Sequence, residues 1–424
     1  MVRLSRYSLI AAAVVLLAVY VPKVVTMAFG EREPKTHLFY SPVSEKFVWR
    51  EKLRHPEGNG KEALHHAQFV RMDQDGKRFT REEFEQLLPF IYYKNMDIWG
   101  LLPLHLKGQV FGKQTIRRER QVMELTPRQV PGNAPGEMIW PLLESVPGRA
   151  RLVFPEDRFR INARMEFINA DDNRVDEALS RRFTTALSEA GFTFPAKLVA
   201  GRPTILKPFD AGVFLVDAED AVFHLRRVEG VPHVVRTPIA PELGVRAIKV
   251  SENARREYLG LVLTRDDRLW LLGYDDYAMI PLPLEGYDPE RMDFKLLVNP
   301  LYRTAVYSDE TTIQAVVMDR EHQVLARYQH TMSRAEPTLA NTLLQSATPF
   351  GIAFDTLEDG FLRFSPDWHW QAGLSGTGVA LALFMLSLLV RRRPFCSAIW
   401  DAAVILGTGI YGLLAVLLIP DESC

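Results

Sequence analysis

Three long apolar runs divide the chain, one at its start and two near its end. The first covers residues 7–29 and the second covers residues 372–390. Each has about the 20 residues that a membrane-spanning helix needs. The third covers residues 397–419 and carries Asp401 as its only charged residue. The pattern therefore predicts three transmembrane helices.

The first run also resembles a signal peptide, because Arg3 and Arg6 precede a short apolar stretch. No clean small-x-small cleavage site follows it, and the nearest candidate is Thr26-Met27-Ala28. Lys23 can extend its ammonium group to the interface. These features favour a retained anchor over a cleaved signal.

Basic residues mark the cytoplasmic ends of membrane segments. They predict a cytoplasmic N-terminus at residues 1–6 and a cytoplasmic loop at residues 391–396, which contains Arg391-Arg392-Arg393. Residues 30–371 are then extracytoplasmic, as is the tail at residues 420–424. This arrangement places Cys396 and Cys424 at opposite faces of the membrane.

Residues 30–371 have the patterning of a soluble domain. His37–Ser41 and Lys46–Glu51 read as a strand pair around Pro42. Thr80 with Glu83 forms a capping box that opens a helix, and apolar positions at helical spacing predict a second helix over residues 174–190.

A hairpin pattern recurs in the second half of this domain. An apolar strand, a polar turn and a second apolar strand occur around Asp217, Thr264 and Asp319, which are 47 and 55 residues apart. A spacing near 50 residues suits β-propeller blades, although such hairpins also occur in other antiparallel folds. The predicted fold is a mainly β domain of antiparallel hairpins with helical insertions, either propeller-like or a generic antiparallel arrangement.

Composition and the absence of known motifs argue against several classes of function. The formal net charge of −1 offers no electrostatic footprint for nucleic acid. Both cysteines lie outside residues 30–371, so the domain contains no disulfide. We find no catalytic motif, which predicts a protein that is not an enzyme and holds no cofactor.

One segment mimics a calcium loop. Asp73, Asp75 and Glu82 fall at ligand positions of an EF-hand around Gly76, but Arg71 occupies the first ligand position. Arginine would repel the ion, so we expect an Asp-Gly turn and no metal site.

Two groups of residues are candidates for binding. Tyr274, Asp275, Asp276 and Tyr277 combine aromatic faces and carboxylates that could hold a sugar or a cation. Half-buried tyrosines in connecting loops explain the same pattern. In the last two apolar runs, small residues recur with spacing that permits close helix packing: Gly378, Ala382, Ala403, Gly407, Gly409 and Gly412. They could pack the two helices together or dock a partner's helices.

Two stretches resemble an uncharacterised family of bacterial membrane-anchored proteins, a domain-of-unknown-function family. They are Arg6–Arg50 and the segment Asp75–Phe84 with Leu88–Tyr93. The resemblance implies a bacterial inner-membrane location and an ABC-type transporter component, such as a permease, as partner. It supplies no catalytic residues.

Together these features predict a non-enzymatic accessory or scaffold component of a bacterial inner-membrane complex, embedded in the lipid bilayer. The alternative is a membrane-anchored periplasmic ligand-binding or sensor module.

Overall fold

The computed structural model describes residues 2–29, 36–52, 69–132, 139–332, 339–356, 362–390 and 399–419. The chain divides into two compact units. Residues 34–334 form the β unit. Residues 1–33 and 335–424 form the helical unit.

The elements follow in chain order. Up to residue 125 they are α1 (Val2–Phe29), β1 (His37–Tyr40), β2 (Phe47–Lys52), β3 (Phe69–Asp73), α2 (Arg81–Leu87), α3 (Tyr93–Ile98), β4 (Leu104–Leu106), β5 (Gln109–Phe111), α4 (Lys113–Glu119) and β6 (Gln121–Leu125). Up to residue 250 they are β7 (Asp157–Ile161), β8 (Met165–Asn169), β9 (Arg174–Asp176), α5 (Glu177–Glu189), β10 (Leu198–Gly201), β11 (Val213–Val216), β12 (Val222–Val228), β13 (Val231–Arg236) and β14 (Val245–Val250). The rest of the β unit contains β15 (Tyr258–Thr264), β16 (Leu269–Gly273), β17 (Met279–Pro281), β18 (Asp293–Val298), β19 (Arg303–Ser308), β20 (Thr312–Met318) and β21 (Val324–Thr331). The helical unit continues with α6 (Leu339–Ala347), β22 (Phe350–Thr356), β23 (Leu362–Trp368), α7 (Trp370–Val390), α8 (Ile399–Thr408) and α9 (Ile410–Leu418).

Antiparallel sheets dominate the β unit, which confirms the predicted fold class at that level. The strand orders β10-β11-β12-β13 and β14-β15-β16-β17 are simple meanders, and β18 to β21 form a third meander that β6 extends. The apolar faces of these strands form the core; Leu261, Leu271 and Leu296, for example, are buried together. Among the described strands, each sheet remains open and no closed barrel forms.

Local signals account for the two helices predicted from the sequence. The Thr80 hydroxyl accepts the Glu83 N–H, and the Glu83 carboxylate accepts the Thr80 N–H at 2.8 Å, so the capping box opens α2 as expected. The second helix, α5, begins later than predicted. Asp176 accepts the Leu179 N–H at 2.9 Å as its N-cap, and the residues from Arg174 to this cap pair as β9.

The three recurring hairpins share one turn. The first residue of each turn donates its N–H to the carbonyl four residues on, and the fourth residue has a positive φ. Asp217, Thr264 and Asp319 begin these turns, and Asp73 begins a fourth of the same kind. The first two join the second and third strands of their meanders, whereas the Asp319 turn joins the third and fourth. The motif therefore marks equivalent positions in the first two meanders but not in the third.

The β unit joins the helical unit through two chain connections, which lie at one end of its strands. His37 begins β1 and pairs with Arg50. The Trp49 and His330 rings stack with centroids 4.2 Å apart, and His330 Nε2 lies 3.8 Å from the Glu51 carboxylate. Because residues 37 and 330 lie next to the two connections, we call this the connection end.

Five loops gather at the opposite end, which we call the loop end: residues 202–212, 251–257, 274–278, 299–302 and 319–323. Ion pairs between Lys207 and Glu252, at 2.6 Å, and between Arg303 and Glu257, at 2.5 Å, bring these loops together. β21 runs from the turn at 319–323 to Thr331 over eight residues. At the rise of a β-strand, the loop end thus lies about 26 Å from the connection end.

The helical unit corrects the prediction of three transmembrane helices. Within the described residues, only α1 and α7 are long and apolar enough to cross a membrane. The third predicted span breaks at Gly409, where φ is +60°. It forms α8 of 10 residues and α9 of 9 residues, which are about 15 and 14 Å long. Neither alone crosses a hydrocarbon core of about 30 Å.

α8 and α9 fold back on each other. The Arg6 guanidinium contacts the Asp401 carboxylate near the start of α8, at 2.8 and 3.0 Å, and donates to the Ile419 carbonyl after α9 at 3.1 Å. In a straight helix, residues 401 and 419 would lie about 27 Å apart. The apolar run therefore forms a helical hairpin with both ends at Arg6. Cys396, Cys424, the loop at 391–396 and the tail at 420–424 lie outside the described residues.

α1 packs as an integral part of this unit. Ile10, Val14 and Ala18 recur every four residues and are buried, as expected for one face of a helix. They share a core with Phe384 of α7 and Ile405 of α8.

Candidate functional site

A buried charge cluster holds the loop at 202–212. The Lys207 ammonium lies 2.7 Å from Asp210 and 2.6 Å from Glu252, and it donates to the Arg202 carbonyl at 2.9 Å. The Lys207 and Glu252 side chains are 1% and 0% exposed. Ser145 donates to Asp210 at 2.8 Å. Because buried charges are costly unless paired and hydrogen-bonded, these contacts keep the loop in one conformation.

Two buried carboxylates share this one ammonium group. Burial raises the pKa of Glu252, and the attraction of Lys207 only partly offsets it. One Glu252 oxygen, Oε2, has no hydrogen-bond partner among the described residues, and the Arg202 guanidinium lies 4.0 Å from it. An adjoining cavity of about 10 Å³, lined by Trp140 and Asp210 among others, has room for about one water molecule. The cluster thus supports the loop, and this adjoining cavity is too small for a ligand larger than water.

His224 ties the same loop to Tyr277. Its Nε2 donates to the Ala211 carbonyl, so Nδ1 accepts the Tyr277 hydroxyl at 2.9 Å. The His224 ring also stacks on Phe214, with centroids 4.4 Å apart. Burial lowers the pKa of His224 to about 4, so this histidine is neutral at pH 7 and is part of the core.

Tyr274 is half-buried at the loop end. Its ring meets Phe209 edge to face at 5.8 Å, and the Arg256 guanidinium lies 4.6 Å from the Phe209 ring centre and 5.7 Å from that of Tyr274. We call Phe209, Tyr274 and Arg256 the arginine–aromatic cluster. Since these residues come from three different loops, it depends on the loop end being folded.

The predicted site Tyr274, Asp275, Asp276 and Tyr277 therefore divides by role. Tyr274 belongs to the arginine–aromatic cluster and Tyr277 belongs to the core beside His224. Asp276 accepts the Ala278 N–H at 2.9 Å in its own turn, and Asp275 is exposed. Ligand binding by these residues stays a prediction.

A second polar network joins the turn at 319–323 to the loop end. Arg303 is 1% exposed, contacts Glu257 at 2.5 Å and donates to the Tyr258 hydroxyl at 3.3 Å. That hydroxyl lies 2.7 Å from His322 Nε2. Burial raises the pKa of Tyr258 to about 12 and is also the main cause of the lowered pKa of His322. The network therefore joins uncharged Tyr258 to an ion pair between buried Arg303 and partly exposed Glu257.

The segment that resembles an EF-hand loop adopts a turn around Gly76. Asp73 Oδ1 accepts the N–H groups of Asp75 and Lys77 at 3.0 and 2.9 Å, and Lys46 contacts the Asp75 carboxylate at 2.5 Å. Among the residues that the structure describes, no three His, Cys, Asp or Glu side chains cluster as metal ligands would.

The small residues of the helical unit fall into two groups. Gly409 and Gly412 are buried at the hairpin: a Cβ on Gly409 would lie 2.8 Å from Pro349 Cδ, and one on Gly412 would lie 3.1 Å from Ile405 Cα. The other four candidates, Gly378, Ala382, Ala403 and Gly407, are exposed on α7 and α8, with open space around Gly378 and Gly407. The close contacts on α7 instead involve Gly373 and Gly376, where a Cβ would lie 2.5 Å from Pro349 Cα and 2.4 Å from Ala347 Cα.

Comparison with known families places the β unit in a family. The family model described as "Domain of unknown function (DUF4857)" matches residues 37–318, from β1 to the end of β20. This chain belongs to the DUF4857 family. The match confirms the expected resemblance to an uncharacterised domain family. The bacterial origin, membrane anchor and transporter association of this DUF4857 chain stay predictions.

Other comparisons add little. Five solved chains match significantly. The β-propeller domain of Cps50 (Swd1) from Myceliophteria thermophila is 8% identical, over 54% of the DUF4857 chain and 62% of that chain, with a TM-score of 0.24. Dihydro-heme d1 dehydrogenase NirN, in complex with DHE, is 10% identical, over 55% of the DUF4857 chain and 63% of that chain, with a TM-score of 0.21. The DUF4857 chain thus spans less than two thirds of either structure, and such low scores carry no argument. No curated protein matches the chain significantly.

Sequence reasoning missed Lys207, Glu252 and Arg256. The first two lie 45 residues apart and meet only in the folded β unit. Arg256 has a positive φ of 53° that no local pattern indicates. A weak signal was present for the loop at 202–212, where Lys207 stands between Leu206 and Pro208 in an otherwise apolar stretch.

Proposed function

We propose that this DUF4857 protein is a non-enzymatic accessory or scaffold component of a bacterial inner-membrane complex. α1 and α7 cross the membrane, and the β unit offers its loop end to a partner. The observation that carries the proposal is the separation within the β unit. Its two connections lie together at one end of the strands, and the rigidly held loops lie about 26 Å away at the other.

The helical unit supports a role beyond anchoring. A simple anchor needs one apolar helix, whereas this unit buries an Arg6–Asp401 ion pair, with Arg6 9% exposed, and folds a hairpin around it. Ionisable groups inside membrane segments are costly and usually functional. Arg6 and the buried face of α1 also require α1 to remain in the mature protein, which favours a retained anchor.

The hairpin changes the expected topology of the C-terminus. By the positive-inside rule, we expect Arg3, Arg6 and Arg391–Arg393 to lie on the cytoplasmic side. Because α8 and α9 return to Arg6, the tail at 420–424 is then cytoplasmic as well. This revises the extracytoplasmic tail expected for a third span.

Exposed small residues on two helices fit a membrane partner. Gly378 and Ala382 share a face of α7, and Ala403 and Gly407 share a face of α8. Small residues at four-residue spacing let a second helix approach closely in lipid. The choice of an ABC-type transporter permease as this partner rests on the family resemblance alone.

Co-purification from native membranes in mild detergent tests the proposal. Gly378→Leu should weaken a docked helix by about 1–3 kcal/mol through overpacking, and the partner should be lost in proportion. Val379→Leu is the matched control, because Val379 is already a large exposed residue, 59% accessible, on the same helix. A membrane partner that survives Gly378→Leu would refute docking on α7, and the absence of any partner for the wild type would refute the accessory role.

One observation favours the alternative of a periplasmic ligand-binding or sensor module. The arginine–aromatic cluster presents an exposed guanidinium beside two aromatic rings, which is a common arrangement in binding sites. Saturation of the isolated wild-type protein by a small ligand, with no membrane partner, would favour this function.

A further inference from the structure

The Arg256 side chain is exposed and held in place by its neighbours. Its guanidinium lies over the Phe209 ring at 4.6 Å and near the Tyr274 ring at 5.7 Å. In the part of the chain that the structure describes, no carboxylate lies within 4.0 Å of the Arg256 guanidinium, and no acceptor receives a hydrogen bond from its side-chain N–H groups. Stacking on aromatic faces leaves the donors at the edge of a guanidinium free.

The backbone around Arg256 is also fixed. The Asn253 carbonyl accepts the Arg256 N–H at 2.9 Å, and Asn253 Oδ1 accepts the Arg255 N–H at 2.9 Å. The Asn253 amide donates to the Arg120 carbonyl at 3.0 Å. The loop therefore holds Arg256 at φ +53°, a conformation that non-glycine residues rarely adopt. An arginine ordered in this way loses little entropy when it binds.

More positive charge lies nearby. Arg320, in the turn at 319–323, is exposed and without a described partner. Burial lowers the pKa of Arg255, and the charges of Arg303 and Arg320 add to this effect. The contact of His322 Nε2 with the Tyr258 hydroxyl, at 2.7 Å, brings the turn that carries Arg320 to the loop end.

One loop of the cluster also carries exposed apolar surface. Leu206, on the same loop as Phe209, is 85% exposed. Arginine and aromatic residues beside exposed apolar surface are typical of the residues that dominate protein–protein interfaces. A planar guanidinium fork matches a carboxylate in a bidentate pair.

We propose that the arginine–aromatic cluster is a docking site for an acidic segment of a protein partner, with Arg256 binding a carboxylate and Arg320 adding attraction. The site rests on the proposed accessory function and names the chemistry of the partner surface at the loop end. Asp275, Asp276 and Glu321 are exposed acids of these loops; they oppose such a segment and provide tests of opposite sign.

The probe is a fluorescent hexaglutamate peptide, titrated against the full-length protein in detergent micelles at low salt. Arg256→Gln and Arg256→Lys should each raise its Kd by about fivefold or more, because lysine lacks the planar fork. Tyr274→Ala should weaken binding less, and Asp275→Asn should strengthen it. Arg181→Gln is the matched control, since Arg181 is an exposed arginine on α5 without a described partner.

Three outcomes would overturn the site. They are equal binding by wild type and Arg256→Gln, no binding by the wild type at about 1 mM peptide, and full displacement by inorganic phosphate at the peptide's own concentration. A membrane partner that still co-purifies with Arg256→Gln and responds to Gly378→Leu would show that the accessory role stands without this site. Binding that depends on Arg256, with no membrane partner for the wild type, would leave the site standing and remove the accessory role.

Discussion

Asp401→Leu is expected to destabilise the helical unit by about 3–5 kcal/mol, because it removes the Asp401 carboxylate from the buried Arg6 guanidinium. Two Arg6 nitrogens contact Asp401, at 2.8 and 3.0 Å, and Tyr7 also donates to this carboxylate at 3.0 Å. The free energy of unfolding in mixed detergent micelles measures the loss. Arg6→Met should cost a similar amount.

The double variant separates a lost pair from general damage. Arg6→Met combined with Asp401→Leu should recover most of the stability, since apolar replacement of both partners of a buried ion pair is often tolerated. Ser5→Ala, at an exposed neighbour of Arg6, is the control and should change little. Additive losses in the double variant would show that the two residues do not act as a pair.

Lys207→Met should destabilise the β unit by about 3–5 kcal/mol, because Asp210 and Glu252 would be left buried with no ammonium between them. Urea unfolding followed by tryptophan fluorescence measures the change. Glu252→Gln should cost less, since one carboxylate would still pair with Lys207.

A surface lysine gives the matched control. Lys197 pairs with Asp220 at 2.7 Å, but the Lys197 side chain is 46% exposed. An exposed pair contributes about 0–1 kcal/mol, so Lys197→Met should be close to neutral. Equal losses for the two lysine variants would refute the view that burial makes the Lys207 cluster important.

Local signals made part of the fold predictable. The Thr80–Glu83 capping box needs only four residues, and the hairpin turns at Asp217 and Thr264 carry their own side-chain acceptors. Alternating apolar residues then define the flanking strands. The turn at Asp73 has the same side-chain hydrogen bonds as the Asp217 turn, but the sequence led us to treat it only as an Asp-Gly turn.

The hairpin of α8 and α9 could not be predicted because its composition is that of a span. Gly409 was visible as a small residue, but its positive φ depends on the fold. The decisive contacts are those of Arg6 with Asp401 and Ile419, at sequence separations of 395 and 413 residues. Hydropathy reports the apolar length of a segment and carries no information about where its ends meet.

The candidate site was predictable only in part, for a similar reason. Tyr274 stood out through its aromatic and acidic neighbours, whereas its contacts with Phe209 and Arg256 join three loops. Burial, which makes the charges of Lys207 and Glu252 important, is a property of the folded β unit. Residue type alone would have placed both on the surface.

Cysteine labelling in intact spheroplasts tests the topology most directly. Three single-cysteine chains are compared: Cys396 alone, Cys424 alone, and Ala254→Cys at the exposed loop end. A membrane-impermeant maleimide should label Ala254→Cys at once, and it should label Cys396 and Cys424 only after the membrane is opened. Labelling of Cys424 in intact spheroplasts would contradict the returning hairpin and restore a third span. Protection of Ala254→Cys would contradict the extracytoplasmic β unit and the function proposed for it.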